Sequence, residues 1–345
     1  MADISVCMIV KNEAETLPRC LDCLEGIPDE IIIVDTGSTD DTKAVAQRYT
    51  DKVFDFEWVD DFAAARNFSL SKAQCDYIYV ADADEVIDPE NQAKFRQLKQ
   101  ALLPEVEVVE MAYAGQLAAA TTENFDVEYR PKLFRRLRAF QFADPIHEAL
   151  RTDPVVYRSN VVITHRPTSN HGGRDLAHFA RLVAQGKHFS SRLEMMYARE
   201  LMMAGKPEDF QNARPYFEAV RADAGKPPEV LRRADCVLAR GAALEKDANQ
   251  LLLVAAPELV GMPPSEICCA LGDYYLAIGN TQQAADWYAA ALSGASPELV
   301  ATSAGSQPML GLANCYELVG DMEQANDYRQ QAKMWNKQNL RRGAK

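Results

Sequence analysis

The chain has 345 residues, 48% hydrophobic and 25% charged, which is the composition of an ordinary globular protein long enough for two domains. Its formal net charge of −13 argues against general nucleic-acid binding, because that activity needs basic surface to neutralise phosphates. No stretch reaches the ~18 apolar residues that would predict a membrane span, and the amino-terminal MADISVCMIVKNE lacks the pattern of a secretory signal.

The eight cysteines mostly lie inside apolar patterns. Cys20 and Cys23 spell CLDC, but no second such pair or nearby histidine pair completes a zinc site, so we expect both on one buried helical face. Free thiols without an export signal predict a protein of the reducing cytoplasm.

The first part of the chain, to about residue 115, alternates short apolar runs with helical periodicity. Strands are predicted at ISVCMIV, EIIIVD, KVFDFEW and DYIYVAD, and helices at EAETLPRCLDCLEGI, TDDTKAVAQRY and DDFAAARNFSLSKA. Strands that are apolar on both faces and alternate with helices indicate an α/β domain with a mostly parallel sheet. The less regular KLFRRLRAFQF, PIHEAL and NVVITHRP are expected to complete this domain, residues 1–170.

From residue 175 to residue 345 the pattern changes to successive helices with a tetratricopeptide-like repeat. Small and aromatic residues recur at the repeat positions in two copies, and a weaker copy carries Gly205, Ala213 and Phe217. The first copy has Leu271, Gly272, Tyr275, Ala284, Tyr288 and Ala291; the second has Leu312, Ala313, Tyr316, Gly320, Ala325 and Ala332. The loop SGASPELVATSAGSQ accounts for the long spacing between the two copies. We therefore predict an all-α helical repeat domain.

Polar residues follow the predicted strands, and ligands of open α/β sheets bind at the carboxyl ends of strands. In DTGSTDDT, Ser38 or Thr39 is expected to be a helix N-cap. Asp35 precedes that cap directly after IIIV, where its carboxylate can accept a hydrogen bond from the N–H of a nucleobase such as uracil.

The stretch VADADEV places three acidic residues behind the fourth strand. Asp88 and Pro89 already start the next helix, so Asp82 and Asp84 are not needed as caps. Alternation puts both carboxylates on one side of an extended segment, where they suit a shared Mg²⁺ or Mn²⁺ ion that neutralises a leaving diphosphate.

These motifs together resemble the family-two glycosyltransferases of the GT-A fold, a Rossmann-like nucleotide-sugar-binding fold. The likeness rests on VCMIVKNEAETLPRCLDCL, DEIIIVDTGSTDDT, DDFAAARNFSL and DYIYVADADEVI. The nearest resemblance is to the subgroup with a tetratricopeptide-like tail, which includes glycocin S-glycosyltransferases; lipopolysaccharide-core glucosyltransferases share much of the pattern.

The resemblance implies a role for each matching position in binding the donor. The backbone of Met8 to Val10 and Glu13 would line the nucleotide pocket, and Asp35 would hold the base. Arg66 would reach the base or the diphosphate, with Asn67 supporting its loop. The remaining donor-site residues are Asp82 for the ribose or the cation, Asp84 as a metal ligand, and His165, with His147 as its competitor, as a further metal ligand.

Inverting members of the family use a carboxylate to deprotonate the acceptor. Glu148 fits this role best and Asp144 is second, although the usual Glu-Asp pair of the family is lacking. The basic cluster Arg135, Arg136 and Arg138 is expected to be a solvated strand face, with a contact to diphosphate or an acidic acceptor as the alternative.

The sequence thus predicts a metal-dependent transfer of a hexose or N-acetylhexosamine from a UDP-sugar to a protein or peptide. The helical tail would recruit the acceptor or build a homodimer. The alternatives are transfer to a surface glycan or lipopolysaccharide core, and a tetratricopeptide scaffold with an inactive sugar-nucleotide domain. A sugar-phosphate nucleotidyltransferase is disfavoured because KNEAET lacks the Gly-rich phosphate loop.

Overall fold

The structure is a computed structural model, and it describes residues 2–114, 128–138, 142–143, 149–150, 154–166 and 172–342. The described residues divide into two compact units, one ending at residue 166 and the other beginning at residue 172. The first unit combines strands with helices and the second is helical, which confirms the predicted fold class.

The first unit is built on an eight-stranded sheet in the order β3-β2-β1-β4-β7-β6-β10-β5. Its strands are β1 (Ile4–Val10), β2 (Glu30–Asp35), β3 (Val53–Asp55), β4 (Tyr77–Val80), β5 (Glu85–Val86), β6 (Val108–Ala114), β7 (Glu128–Arg135) and β10 (Val156–His165). A separate hairpin pairs β8 (Phe142–Ala143) with β9 (Ala149–Leu150). The helices of this unit are α1 (Leu17–Asp22), α2 (Thr42–Ala46), α3 (Phe62–Ser71) and α4 (Pro89–Ala101).

The sheet is mixed, and its parallel part carries the strand ends singled out by the sequence. β1 pairs in parallel with β2 and β4, and β2 with β3, because helices return the chain across the sheet between them. β7 runs antiparallel to both β4 and β6, and β10 runs parallel to β6 and antiparallel to β5. The strand residues of β1 and β4 are almost wholly buried, as apolar runs on both faces require.

The predicted helix start before α4 is confirmed: the Asp88 carboxylate accepts the N–H of Asn91 at 2.9 Å and Pro89 opens the helix. Cys20 is buried on α1, and Cys23 follows the helix end. Their thiols meet the segment after β4, since the Cys20 thiol donates to the Asp82 carbonyl at 3.3 Å and the Ile87 N–H donates to Cys23 Sγ at 3.2 Å. All eight cysteines are free thiols.

The second unit consists of helices joined mostly by short turns, with one longer connection between its seventh and eighth helices. They are α5 (Gly172–Ala184), α6 (Ser191–Ala204), α7 (Pro207–Ala222), α8 (Pro228–Glu245), α9 (Ala248–Glu258), α10 (Ser265–Ala277), α11 (Thr281–Leu292), α12 (Ser306–Leu318) and α13 (Met322–Arg342). None of the described helices combines the length and the apolar character needed to cross a bilayer.

The two strongest repeat copies correspond to the helix pairs α10–α11 and α12–α13, and the weaker copy to α6–α7. In both strong copies a glycine with positive φ ends the first helix, Gly279 at 83° and Gly320 at 86°. The following Asn280 and Asp321 accept an N–H of the next helix at 3.2 and 3.1 Å. The two turns therefore have the same construction.

A further helix pair, α8–α9, was not recognised in the sequence as a repeat copy. Lys246 occupies the position of the turn glycine with φ 58°, and Asp247 then accepts the N–H of Gln250 at 3.0 Å. The repeat signature was missed because a lysine stands where the other turns have glycine.

The long connection between α11 and α12 is anchored by one buried carboxylate. Glu266, on α10, is 1% exposed. Its oxygens accept the N–H groups of Glu298 at 3.1 Å and of Leu299 and Val300 at 2.9 Å. The insertion that lengthens the repeat spacing is thereby attached to the helix pair that precedes it.

Candidate functional site

The carboxyl ends of β1, β2 and β4 lie side by side in the sheet. Val10 pairs in register with Asp35, and Cys7 pairs with Val80. The N–H of Ala81 donates to the Cys7 carbonyl at 3.2 Å, so the segment leaving β4 begins beside β1. The polar residues that follow these strands are consequently gathered at one edge of the sheet, as the sequence predicted.

The loops after β1 and β2 are cross-linked by side chains. The Asn12 side-chain oxygen accepts the N–H of Thr39 at 2.8 Å, and the Asn12 N–H donates to Ser38 Oγ at 2.8 Å. Asn12 adopts a left-handed backbone with φ 56°. The expectation that Ser38 or Thr39 caps α2 was wrong: Asp41 precedes that helix, and the two hydroxyl residues instead join the loops.

Asp35 ends β2 with its side chain 1% exposed. Its Oδ1 accepts the N–H groups of Gly37 at 3.0 Å and Ser38 at 2.9 Å, and Lys43 Nζ lies 4.0 Å away. Its other oxygen, Oδ2, is buried and has no hydrogen-bond partner among the described residues. A buried carboxylate oxygen without a donor is costly in isolation, so this atom is suited to accept from a bound ligand.

Two residues expected in the nucleotide pocket lie in or beside the first loop. Val10 ends β1 with its side chain buried. The N–H of Glu13 donates to Thr42 Oγ1 at 2.7 Å, and its carboxylate accepts the hydroxyl of Thr16 ahead of α1. Glu13 therefore helps to hold the loop at this strand end.

The three acidic residues after β4 have three different basic partners. Asp82 Oδ1 lies 3.0 Å from Arg66 Nη2, Asp84 Oδ2 lies 2.9 Å from His165 Nε2, and Glu85 Oε1 lies 2.7 Å from Lys132 Nζ. The chain turns at Ala83 and Asp84 rather than continuing extended. Each of the three carboxylates therefore contacts a different nitrogen-bearing side chain.

Asp82 and Glu85 differ in their electrostatic environments. Burial favours the neutral form of Asp82, but Lys132 and Arg66 outweigh it and hold the pKa of this carboxyl well below its usual range. Glu85 is 2% exposed, and burial raises its pKa despite the opposing charge of Lys132. Asp82 is thus a carboxylate that stays ionised at the strand end.

The Asp84–His165 pair has the chemistry of a divalent-cation site. A carboxylate oxygen and an imidazole nitrogen both suit Mn²⁺, and oxygen suits Mg²⁺, with the remaining positions left to water or phosphate. Both side chains are partly exposed, at 16% and 23%. The Asp82 side chain points instead to Arg66 and Lys132. In the described part of the chain, we find no group of three or more His, Cys, Asp or Glu side chains arranged to hold a metal.

Arg66 and Asn67 lie on α3. Asp61 is the N-cap of this helix, and its side chain accepts the Ala64 N–H at 3.0 Å. Arg66 is 6% exposed, and its guanidinium contacts Asp82 as given above. The Asn67 side chain donates to the Phe142 carbonyl at 2.9 Å and accepts the Phe142 N–H at 2.8 Å. Asn67 therefore joins α3 to the small β8–β9 hairpin.

The basic residues of β7 that approach the site were missed by the sequence analysis. Lys132 lies 4.0 Å from Asp82 Oδ2 as well as 2.7 Å from Glu85. The Arg130 guanidinium stacks 4.1 Å from the centroid of the Tyr113 ring, which lies 5.7 Å from the His165 ring. Arg130 and Lys132 are two residues apart in the sequence RPK. Residues two apart in a strand share a face, so this spacing could have indicated two basic side chains on one side of β7.

The arginine cluster that the sequence singled out lies at the opposite end of β7. Arg135 pairs in register with Tyr77, the first residue of β4, whereas the acidic stretch follows the last. Arg136 Nε donates to the Cys75 carbonyl at 2.7 Å, and Arg138 Nε lies 2.6 Å from Glu107. The expectation of a solvated face agrees with Arg138, whose side chain is 56% exposed, whereas Arg136 is half-buried against the Cys75 carbonyl.

The two candidates for the catalytic base, Glu148 and Asp144, and the competing metal ligand His147 lie outside the described residues. The described hairpin strands β8 and β9 flank them in sequence.

Residues 5–142 match the model of the family described as "Glycosyl transferase family 2", which confirms the family resemblance for that segment. A TPR repeat-containing protein of Synechococcus elongatus is 36% identical over 219 residues, 61% of this chain and 50% of the relative. The SPbeta prophage-derived glycosyltransferase SunS of Bacillus subtilis is 34% identical over 97 residues, 28% of this chain and 23% of the relative. The matches thus span half or less of the length of these curated relatives.

Among solved structures, the chain is similar to glucosyl-3-phosphoglycerate synthase of Mycobacterium tuberculosis in complex with Mn²⁺ and uridine-diphosphate-glucose. The two share 17% sequence identity with a TM-score of 0.38, over 55% of this chain and 81% of the other.

Proposed function

We propose that the chain is a metal-dependent, inverting glycosyltransferase that moves a hexose or N-acetylhexosamine from a UDP-sugar to a protein or peptide. One observation carries the proposal. Asp35, whose Oδ2 is unpartnered, ends β2, and Asp84 follows β4, with β1 between these two strands; both residues lie in the segment that matches family 2. His165, from β10 beyond that segment, contacts Asp84. These groups supply, respectively, an acceptor for a base N–H and a donor set for a cation that carries diphosphate.

The nucleotide end of the site would be held by Asp35. Two backbone N–H groups hold its Oδ1, so Oδ2 has a defined direction before any ligand arrives. Uracil presents an N–H donor to such an oxygen, whereas a second acceptor would be repelled. The proposed preference for a UDP donor rests on this complementarity.

The diphosphate end would be held by a divalent cation on Asp84 and His165. When bound, Mg²⁺ or Mn²⁺ would act as a Lewis acid that neutralises the charge developing on the leaving diphosphate. Arg66 holds Asp82 beside this position, and the ionised Asp82 carboxylate is suited to accept from a ribose hydroxyl. Val10 and Glu13 would contribute the wall of the nucleotide pocket.

Inversion would require a carboxylate that accepts the proton of the attacking acceptor from the face opposite the diphosphate. Glu148 remains the proposed base, with Asp144 second, and His147 remains the alternative to His165. Asn67 supports this assignment indirectly, because its two hydrogen bonds to Phe142 attach the start of β8 to α3. A thiol acceptor would lessen the demand on the base, since its ordinary pKa is about 8.5.

The helical unit is proposed to bind the polypeptide acceptor or to form a homodimer. Stacked helix pairs present extended surfaces that suit peptides. The similarity to a protein named for its TPR repeats supports a repeat-type helical unit, for which we propose residues 175–345, beside a donor domain of residues 1–170. The eight free thiols support a location in the cytoplasm.

The donor site is tested by calorimetry of UDP binding with and without Mn²⁺. We expect binding that requires the metal in the wild type, and loss of at least tenfold in affinity, or about 1.4 kcal/mol, in Asp84→Ala and in His165→Ala. Asp51→Asn is the matched control, because this exposed carboxylate precedes β3, at the end of that strand away from Asp35. Absence of UDP binding in the wild type would favour the scaffold alternative.

The acceptor requires a second experiment. Lysate peptides, proteins and glycans would be incubated with enzyme and a labelled UDP-sugar, and the labelled products identified by mass spectrometry. Label on a peptide or protein supports the proposal; label confined to a glycan or lipopolysaccharide core would replace the acceptor class and leave the donor chemistry standing.

A further inference from the structure

We infer that Lys132 is a positioning residue of the donor site, which holds the turn from Asp82 to Glu85 in place and with it the Asp82 carboxylate. The inference rests on the proposed function, because it names a residue that would set the geometry of that same site. Lys132 lies on β7, outside the motifs that carry the family resemblance and 50 residues beyond Asp82 in the chain.

Lys132 forms a buried ion pair with Glu85. The lysine is 5% exposed and the glutamate 2%, and their charged atoms are 2.7 Å apart. Removing one member of such a pair leaves an uncompensated charge in the interior, whereas replacing both with neutral side chains does not. The pair therefore has a structural role, from which any role in binding must be separated.

Glu85 transmits its position to Asp82 through the backbone. Its second carboxylate oxygen accepts the N–H of Asp82 at 3.3 Å, and its own N–H donates to the Asp82 carbonyl at 3.1 Å. The glutamate side chain thus folds back onto the start of the turn. A group that fixes the Glu85 carboxylate also fixes the residue that begins the turn.

Lys132 also acts on the Asp82 side chain directly. Its ammonium lies 4.0 Å from Asp82 Oδ2, while Arg66 Nη2 lies 3.0 Å from Oδ1. One cation comes from β7, the strand next to β4, and the other from α3. The carboxylate is consequently held from two separate elements, and loss of Lys132 would free one of its two oxygens.

The position of the Lys132 ammonium is itself restricted by aromatic rings. It lies 5.8 Å from the centroid of Tyr79 and 6.0 Å from that of Tyr113. Tyr113 in turn lies beside His165, at a centroid distance of 5.7 Å. Lys132 therefore contacts the Asp82 side of the donor site directly, and Tyr113 lies between it and the Asp84–His165 side.

The test compares two variants that differ only at position 132. Glu85→Gln keeps Lys132 and an acceptor for the Asp82 N–H; Glu85→Gln with Lys132→Met removes the lysine without leaving Glu85 charged and unpaired. UDP affinity in the presence of Mn²⁺ and melting temperature are measured for both. We expect the double variant to bind UDP at least tenfold more weakly than Glu85→Gln while melting at no lower a temperature, because the single variant is the one that leaves the buried Lys132 without its counter-charge.

Lys72→Met is the matched control, since this lysine also lies over an aromatic ring, 4.4 Å from the Phe68 centroid. Its described contacts do not include the acidic residues after β4. It should bind UDP as the wild type does. Equal UDP affinities for Glu85→Gln and the double variant would overturn the inference and leave Lys132 with a structural role alone. Absence of binding by the wild type would reject the proposed function itself, and the inference with it.

Discussion

The Nε2 atom of His165 lies 2.9 Å from Oδ2 of Asp84, although 81 residues separate them in the chain. The contact follows from the sheet, because β10 ends beside β5 and places His165 in register with Glu85. The Arg166 N–H also donates to the Asp84 carbonyl at 2.8 Å, which ties the strand end to the acidic turn. A long-range pairing of two short chain segments thus creates the candidate cation site.

Asp35→Asn should separate recognition of the base from the structure of the loop. Asparagine keeps an oxygen to accept the two backbone N–H groups that bind Oδ1, and it places an amide donor where the unpartnered Oδ2 now lies. A donor facing a base N–H is repulsive, so we expect UDP affinity to fall at least tenfold, or about 1.4 kcal/mol, with the melting temperature nearly unchanged. Calorimetry and thermal melting check both parts.

Asp51→Asn provides the control for Asp35→Asn, because it makes the same change at an exposed residue just before the neighbouring strand β3, away from Asp35. Unchanged UDP affinity in Asp35→Asn would show that Asp35 does not contact the base.

Gly311→Ala should destabilise the helical unit through Tyr288. A Cβ atom at Gly311 would lie 2.5 Å from the Tyr288 ring, and one at Gly272 would lie 2.6 Å from the same ring. The ring is buried between α10 and α12, so it has little room to move. We expect a loss of about 1–3 kcal/mol in the free energy of unfolding, measured by urea denaturation.

Gly241→Ala is the matched control for this packing prediction. It is also a helical glycine, but its Cβ would lie 3.5 Å from Phe210, an ordinary contact. The better helix propensity of alanine should then stabilise the protein by up to about 1 kcal/mol. Equal effects of the two substitutions would contradict the assigned cause.

Lys246→Gly should stabilise the α8–α9 pair. Lys246 adopts φ 58° and ψ 31°, a left-handed conformation that costs side chains with a Cβ about 1 kcal/mol or more. Glycine removes that cost but loses more backbone entropy on folding. The expected net increase in the free energy of unfolding is therefore about 0.5–1 kcal/mol. Urea denaturation measures it.

The reciprocal substitution, Gly279→Lys, places a lysine at φ 83° in the equivalent turn of the next helix pair. It should destabilise by a similar or larger amount. A destabilising Lys246→Gly would mean that the lysine side chain has a role that outweighs its backbone strain.

Glu200 should make the stability of the helical unit depend on pH. Burial, with a smaller contribution from Asp175, raises its pKa from 4.5 to about 7, and Arg199 only partly opposes this. A folded-state pKa above the unfolded value means that the folded protein binds more protons between these values. The free energy of unfolding should therefore fall as pH rises through this window, by at most about 3 kcal/mol.

Glu200→Gln should remove this part of the pH dependence, since glutamine does not titrate. The measurement is urea denaturation of both proteins at intervals from about pH 5 to about pH 8, the window in which the raised pKa acts. Parallel stability profiles for wild type and variant would contradict the assignment to Glu200.

The sequence predicted the strands of the parallel sheet well because β1, β2 and β4 are apolar on both faces. Their carboxyl ends then had to meet at one edge, which located Asp35 and the acidic stretch. His165 could be named as a candidate because the family resemblance implies a late histidine and His165 follows the apolar run of NVVITHRP, but its partner could not be chosen from sequence alone. Only the antiparallel pairing of β10 with β5 brings it to Asp84.

Local patterns failed where long-range pairing decides the structure. Lys132 belongs to the site because β7 inserts antiparallel between β4 and β6, an order that no sequence period reveals. The nearby arginines drew attention by their number, yet they lie toward the other end of the same strand. The sequence around Ser38 and Thr39 is typical of a helix N-cap. In the structure these two residues instead form hydrogen bonds with Asn12 in the neighbouring loop.

The carboxylate of Glu266 has a consequence for how such helical arrays can vary in length. Its oxygens accept three consecutive backbone N–H groups of the irregular connector between α11 and α12. The connector is therefore anchored as a capped helix end is, and residues added there need not loosen the array. Chains that acquire longer connectors at this point should keep an acid in the first turn of the first helix of the preceding pair, as Glu266 is on α10. Loss of that acid should be tolerated only where the connector is short.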